Sequence, residues 1–582
     1  MPQSIQPVAR RFIGRAWQLA HPYWTRSNER LVAWALLAAI VGISLGLVYL
    51  AVVLNRWNRD FFNAIQEKSY ADFLQLLLYF CFIAAVYIVA AVYRAYLRQM
   101  LYMRWRVWLT RAYLEDWLGD RVYYRLEQDA RGTDNPDQRI ADDLRLFCNT
   151  TLTLTLDLLQ QLVTLGSFLV ILWSVSGPLV VHIWGSDWTI PGYMVWAAVL
   201  YALAGSALTY YVGRPLVGLN FNQERVEADL RFSLVRMREY AEGIALYRGE
   251  AAEHAQLDRR VEGIFANWWQ IMRAQKRLNF FTNGYAQAAV VFPFFVAAPR
   301  YFSGAIQFGD LTQIADAFGT VQGSLSWFVQ NYPELASWKA SVDRLISFEH
   351  AIDAARVEAR EQRGVSIRHA PTAALHVSHL GLALPDGRKI LSDADFVLRP
   401  GERVLLTGPS GSGKSTVFRA IAGLWAYGGG QVEVPEGARL MFLPQKPYIP
   451  IGSLRDALAY PSSAGGYGDE RLREALGAAG LAQFSERLDE ARNWSQSMSG
   501  GEQQKLAVAR VLLQQPDWLF LDEATASLDE DSEHSVYRLL AERLPGTAIV
   551  SIAHRPPVAG FHQRRLALSG GTLMEAADPV NA

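Results

Sequence analysis

Five stretches in the first 300 residues contain no Asp, Glu, Lys or Arg: Leu31 to Asn55, Phe73 to Tyr93, Leu158 to Trp184, Trp188 to Gly213 and Leu278 to Pro299. About 20 mostly apolar residues in a helix cross the hydrocarbon core of a bilayer, so each run is long enough to span. Inside lipid the backbone must satisfy its own hydrogen bonds, and a helix does this within one segment. A soluble helical bundle can bury one such run but has no place for five. A sixth segment, "ADAFGTVQGSLSWFVQNY" (Ala315 to Tyr332), is also uncharged after Asp316, yet it holds Thr320, Gln322, Ser324, Ser326, Gln330 and Asn331. The expected spans are about 31–55, 73–93, 158–177, 188–213, 278–299 and 314–333.

Composition limits how much of the chain the membrane claims. Of 582 residues, 51% are hydrophobic and 19% charged, but a mean hydropathy of +0.05 leaves a large part outside lipid. Lys plus Arg equals Asp plus Glu at 56 each, which gives no reason to expect a nucleic-acid partner. Cys81 and Cys148, neither in a CxxC, are expected to stay reduced. Positive charge is unevenly placed: Arg94 to Asp157 holds ten Arg, and Arg214 to Arg277 holds eleven Arg or Lys. By the positive-inside rule these connections and both termini face the cytoplasm. Residues 1–30, basic and aromatic, are expected to form an interfacial helix ahead of an uncleaved first span. The membrane domain is then 31–345, a charged linker 346–369, and a soluble domain 370–582.

In the last third, short β-branched runs (ERVLLTG, WLFLDE, TAIVSIAH) alternate with helical segments, which predicts an α/β domain with a largely parallel sheet. "GPSGSGKST", comprising Gly408, Pro409, Ser410, Gly411, Ser412, Gly413, Lys414, Ser415 and Thr416, fits GxxxxGK[ST] directly after RVLLT. Its glycines let backbone N–H groups wrap phosphates, Lys414 is placed to reach the β/γ-phosphates, and Ser415 is placed to coordinate Mg²⁺. A second element, "WLFLDEAT", feeds a buried strand into two carboxylates. Asp522 is expected to hold Mg²⁺ and Glu523 to polarise an attacking water. Between the two, Ser499, Gly500, Gly501 and Glu502 of "MSGGEQQKLAVARVLL" open another anion-binding helix N-terminus.

With these motifs in this order, the chain resembles an ABC transporter half-unit: an α-helical membrane domain of exporter type with six spans, fused to an α/β P-loop nucleotide-binding domain. The resemblance implies that the SGGE signature caps the γ-phosphate of ATP bound to the opposite subunit. It further implies that Gln445 in "FLPQKPY" senses Mg²⁺ and the γ-phosphate, that "SLD" (Ser527 to Asp529) is the D-loop, and that His554 in "SIAHR" is the switch histidine. One departure is that "LGLALPDGRKIL" offers no aromatic for adenine, leaving Leu384 or Pro385 as apolar contacts. "GLWAYGGGQVEVP" looks like the subfamily D nucleotide-binding domain, and "NRWNRDFFNAIQEK", "NPDQRIADD" and "EYAEGIALYRGE" look like subfamily D and like the bacterial SbmA/BacA-like group with a fused ATPase.

That resemblance implies a homodimer in the bacterial inner membrane, binding ATP and Mg²⁺ and moving a hydrophilic cargo such as a peptide or cobalamin. Subfamily D also keeps fatty acid, acyl-CoA or other lipid transport open as an alternative, while a non-transport ABC ATPase conflicts with the spans. The polar sixth segment bears on the choice. At 100° per residue Ile314, Phe318, Val321, Leu325, Phe328, Val329 and Tyr332 share one side. Gln313, Asp316, Thr320, Ser324, Gln330 and Asn331 fall on the other, as a polar helix seam or as a cargo-facing wall. The expectation is the wall.

Overall fold

The computed structural model describes residues 5–128, 135–183, 186–360, 364–553 and 555–576. It divides into two compact units, Met1–Ile352 and Asp353–Ala582, with the division inside one helix.

The first unit is helical: α1 Ile5–Arg26, α2 Arg30–Gln66, α3 Tyr70–Leu118, α4 Val122–Gln128, α5 Pro136–Gln138 and α6 Leu144–Ser176. An antiparallel hairpin follows, β1 Pro178–Ile183 with β2 Ser186–Pro191. Then come α7 Tyr193–Glu239, α8 Ala241–Tyr247, α9 Glu250–Phe302, α10 Phe308–Gln330 and α11 Tyr332–Arg360. Among the described residues, five helical stretches are long and apolar enough to cross a membrane: Arg30–Gln66, Tyr70–Gln128, Pro136–Ser176, Tyr193–Glu239 and Glu250–Phe302. With α3, α7 and α9 at 49, 47 and 53 residues, these helices far exceed a bilayer's needs and carry the basic connections as helical extensions. In α1, the buried Tyr23 stacks on Trp105 of α3 at 5.9 Å between ring centroids.

The hairpin corrects one boundary. The charge-free run expected to start a span at Trp188 is strand up to Pro191, and α7 begins only at Tyr193. Pro178 and Pro191 bracket β-branched residues, and Gly177 and Gly192 take φ of +60° and +58°, so the chain turns where a charge count sees only lipid-compatible sequence. The Arg300 guanidinium donates to the Ser176 carbonyl, satisfying the C-terminus of α6.

Helix α10 lies at the centre of this unit, packed on α2, α6, α7 and α9. Its residues Ile314, Phe318 and Val321 are fully buried in a cluster with Phe168, Leu172 and Met194. This position explains its lower apolarity, because its neighbours are protein on several sides. Gln313 and Ser324, expected on a cargo-facing wall, are instead buried in seams. Gln313 Nε2 donates to Asn55 Oδ1 at 3.0 Å, and Ser324 Oγ donates to Gln161 Oε1 at 2.9 Å. Thr320 and Asn331 turn back onto their own helix, donating to the carbonyls of Asp316 and Trp327. Asp316 accepts from Asn55 Nδ2 at 2.5 Å but remains exposed, as does Gln330.

"NPDQRIADD" forms a turn, with Asn135 at φ +47°, one helical turn, and a π-helical stretch over Arg139–Asp143. Asp143 is 3% exposed and accepts from Arg139 at 2.7 Å and from Arg344 of α11 at 2.9 Å. Its carbonyl also takes the Ser341 hydroxyl at 3.1 Å.

The second unit contains β3 Ser366–Ala370, β4 Leu375–Ala383, β5 Lys389–Leu398, β6 Arg403–Thr407, α12 Lys414–Ile421, β7 Gly428–Pro435 and β8 Leu440–Leu443. It continues with β9 Gly452–Ser453, α13 Leu454–Ala459, α14 Asp469–Ala478, β10 Ala491–Arg492, α15 Trp494–Ser497 and α16 Gly500–Gln514. It closes with β11 Trp518–Asp522, α17 Glu530–Arg543, β12 Ala548–Ile552, β13 Arg564–Ser569 and β14 Thr572–Glu575. The main sheet runs β14-β13-β6-β12-β11-β8, parallel except for β14. A separate four-stranded sheet, β3-β7-β4-β5, is antiparallel at β4–β5 and β4–β7, and β9 pairs antiparallel with β10, so among the described residues the parallel expectation holds only for the main sheet.

Burial separates two ion pairs near the turn. Asp143→Ala removes the buried acceptor that Arg139 and Arg344 share and is predicted to destabilise the full chain in detergent by about 3–5 kcal/mol. Arg145→Ala breaks a pair whose side chains are 55% and 59% exposed, and is predicted to change stability by under about 1 kcal/mol. Thermal unfolding of both variants checks the contrast.

Candidate functional site

The P-loop bridges the end of β6 and the start of α12, as strand-then-helix spacing requires. Gly408 and Gly413 take φ of +149° and +101°. A Cβ on Gly408 would lie 2.3 Å from the Leu568 carbonyl oxygen, and one on Gly413 2.2 Å from Ile390 Cγ2. Only glycine fits at either place. Lys414 is buried, and its Nζ donates to the carbonyls of Gly408 and Pro409 at 2.9 Å each, folding the ammonium across its own loop. Ser412 Oγ is buried without a hydrogen-bond partner among the described residues, a polar group directed into a loop of backbone amides. Such a loop, with a cation beside it and an unsatisfied hydroxyl in it, suits a polyphosphate.

Register brings the carboxylates to this loop. Asp522 pairs with Ile552 across β11 and β12, and Ile552 pairs with Leu406 across β12 and β6, so all three strands end together. Ser415 Oγ consequently donates to Asp522 Oδ1 at 2.9 Å. Burial raises the Asp522 carboxyl above its ordinary value and neighbouring Glu523 adds to the rise, opposed by the Ser415 hydrogen bond. A hydroxyl beside a desolvated carboxylate is an oxygen donor set that fits Mg²⁺.

Glu523 follows at φ +48°, a left-handed conformation that costs a non-glycine residue about 1–3 kcal/mol and aims the carboxylate away from the strand line. Gln445 Nε2 donates to Glu523 Oε2 at 3.0 Å, joining the two expected site residues. Pro409, Ser410, Gly411 and Thr416 complete the loop and the first helical turn, with Gly411 at φ +75° in open space.

The signature segment sits at the N-terminus of α16. The Ser499 side chain accepts from the Glu502 N–H at 3.3 Å, and Glu502 Oε2 accepts from the Ser499 N–H at 2.9 Å, forming a capping box. That backbone hydrogen bond holds the Glu502 carboxyl below its ordinary range. Cβ atoms on Gly500 and Gly501 would come within 3.4 Å of Ser527 atoms, so both glycines lie on the D-loop. His554 falls outside the described residues. Its neighbour Arg555 donates to the Leu528 carbonyl at 2.6 Å and to Glu533 at 3.3 Å, clamping the D-loop from the other side.

Gln504, which has no motif spacing to mark it, proves central. It is 2% exposed; its Nε2 donates to the Gln445 carbonyl at 3.0 Å and its Oε1 accepts from the Ser527 N–H at 2.9 Å. One buried amide thus ties the signature helix to the Gln445 loop and to the D-loop.

The sequence matches the ABC transporter transmembrane region 2 model over residues 26–302 and the ABC transporter model over residues 391–526. It is 34% identical over 561 residues to the inner membrane ABC transporter ATP-binding protein YddA of Escherichia coli, spanning 95% of this chain and 97% of that one. It is 33% identical over 643 residues to ABC transporter D family member 2, chloroplastic, of Arabidopsis thaliana, spanning 98% and 88%. It is 26% identical over 613 residues to the lysosomal cobalamin transporter ABCD4 of Mus musculus, spanning 98% and 96%. The chain belongs to the ABC transporter family, as a half-unit homologous to subfamily D members. It is a membrane protein whose ATP-binding domain couples ATP hydrolysis to transport. These relatives carry the subfamily D side of the resemblance and lend no support to its SbmA/BacA-like side.

Gln504→Leu leaves the Gln445 carbonyl and the Ser527 N–H unsatisfied, each costing on the order of 1–3 kcal/mol. Steady-state hydrolysis at saturating ATP is predicted to fall about tenfold or more while detergent-solubilised protein stays folded; wild-type turnover in this variant contradicts the bridge.

Proposed function

We propose that this chain forms a homodimer in a bacterial inner membrane, with both termini cytoplasmic, and uses ATP to take up a hydrophilic cargo of the peptide or cobalamin type. The reasoning for the dimer is stoichiometric: one chain carries one P-loop and one signature, and a sandwich of two nucleotides requires two of each.

The pairing of Gln445 with Glu523, beside that of Ser415 with Asp522, is the observation that carries the hydrolytic role. Residues 408–416 cradle the triphosphate, with Lys414 leaving its loop carbonyls for the phosphate oxygens. Ser415, Asp522 and Gln445 would hold Mg²⁺, which when bound would supply neutralising charge to the transferring phosphoryl group. Glu523 polarises the attacking water, and its strained backbone fixes the direction of that carboxylate. Ser499, Gly500, Gly501 and Glu502 approach the γ-phosphate held by the partner's P-loop. The polarised helix N-terminus acts there with Glu502 held in the capping box, and His554 contacts the same phosphate as the switch histidine.

For the cargo, support comes from the relative named as a cobalamin transporter and from polar groups on α10, where Asp316 and Gln330 remain exposed. Lipid or acyl-CoA transport is the second reading, favoured by homology to subfamily D.

Glu523→Gln is expected to retain ATP binding and to lower steady-state hydrolysis by at least about a hundredfold, the range for loss of a general base. Filter binding and phosphate release measure the two quantities, and undiminished release removes Glu523 from its role.

A further inference from the structure

Helix α9 has two faces of opposite character. One packs on α7, where polar groups are paired: Tyr285 OH donates to the Tyr201 carbonyl at 2.8 Å, Tyr201 OH returns a bond to the Tyr285 carbonyl at 2.7 Å, and Asn267 joins Gln223 at 2.9 Å. Along another side run Gln275, Asn279, Asn283 and Gln287, four amides at intervals of four residues. All four are exposed, and their side chains make no hydrogen bond among the described residues. They form one open strip along α9, with Lys276 and Phe280 beside them. At a rise of about 1.5 Å per residue the row is about 18 Å long. Three of its four members fall inside the charge-free stretch that begins at Leu278.

We infer that this row, rather than the polar side of α10, is the principal cargo-contacting surface of the chain, and that it binds a neutral solute bearing several carboxamide groups. The inference rests on the hydrophilic-cargo reading above. Unpaired amides at membrane depth must face water or protein, because lipid offers neither donor nor acceptor. Asn and Gln packed against a neighbouring membrane helix bond across to it, whereas these four lie on a strip lined by α9 residues alone. Each amide both donates and accepts, which matches another amide and offers no charge to a phosphate or carboxylate. Among the described residues, Lys276 is the only charged one lining the strip. The α10 side is less suited, since Gln313 and Ser324 are committed to seams with Asn55 and Gln161.

The test uses the full-length chain in proteoliposomes with cobalamin, a solute rimmed by carboxamides, as probe and acyl-CoA as comparison. Cobalamin is expected to stimulate ATP hydrolysis by wild type, and Asn279→Leu with Asn283→Leu to raise its half-saturating concentration about tenfold or more. A wild-type response to cobalamin with an unaltered response in the double variant overturns this assignment and leaves the cargo reading standing. A wild type that ignores cobalamin, or responds to acyl-CoA alone, overturns both. Asn283→Cys in a Cys81→Ser background supplies a check that needs no stimulation. A charged maleimide should label it from water, and cobalamin should slow the labelling. A residue that resists labelling lies in lipid or in a subunit seam, and the assignment fails.

Discussion

The catalytic half of this protein depends on one constraint, the parallel register of β6, β12 and β11. Because Leu406, Ile552 and Asp522 lie in adjacent register, the P-loop, the carboxylate pair and the segment after β12 emerge at the same sheet edge. A single-residue slip would turn Asp522 away from Ser415 and break the 2.9 Å contact on which the proposed metal site rests. Around that edge the loops hold one another by side-chain amides. Gln445 reaches Glu523, Gln504 reaches both the Gln445 loop and the D-loop, and Arg555 donates to the Leu528 carbonyl of the D-loop. A shift of any one loop is therefore felt by the others.

The membrane half obeys a different constraint, because lipid supplies no hydrogen bonds. Long helices solve the backbone problem, and polar side chains are tolerated where protein or water can meet them. Helix α10 shows the first solution, with Gln313 and Ser324 paired across seams. The amide row on α9 is read as the second. Each of the two helices contains a charge-free run sprinkled with amides, and they differ in what surrounds it.

Much of the candidate site was legible because the chemistry proposed for it requires fixed residue types at fixed spacing. Gly408 and Gly413 are demanded by backbone angles and close approach, and Asp522 and Glu523 by the end of a buried strand. Gln504 escaped notice because a lone amide inside a helix has no spacing to distinguish it, and only the fold shows that it bridges two loops. The hairpin at Pro178–Pro191 was hidden for a related reason, since counting charges cannot separate an apolar strand from an apolar helix. The row from Gln275 to Gln287 lies largely within a run selected for lacking charge, and amides pass that filter. The polar side of α10 was visible, but helical periodicity could not say which of its members faced protein.

The central claim is that each ATP site is built from two chains. Lys414→Ala disables one P-loop and Ser499→Arg one signature, so a homodimer of either variant lacks both working sites. A mixed dimer retains one complete site, formed by the intact P-loop of one chain and the intact signature of its partner. ATP hydrolysis measured after co-reconstitution should rise well above the sum of the two variants reconstituted separately. A mixture no more active than that sum, or wild-type activity from the Ser499→Arg chain alone, would contradict the shared site.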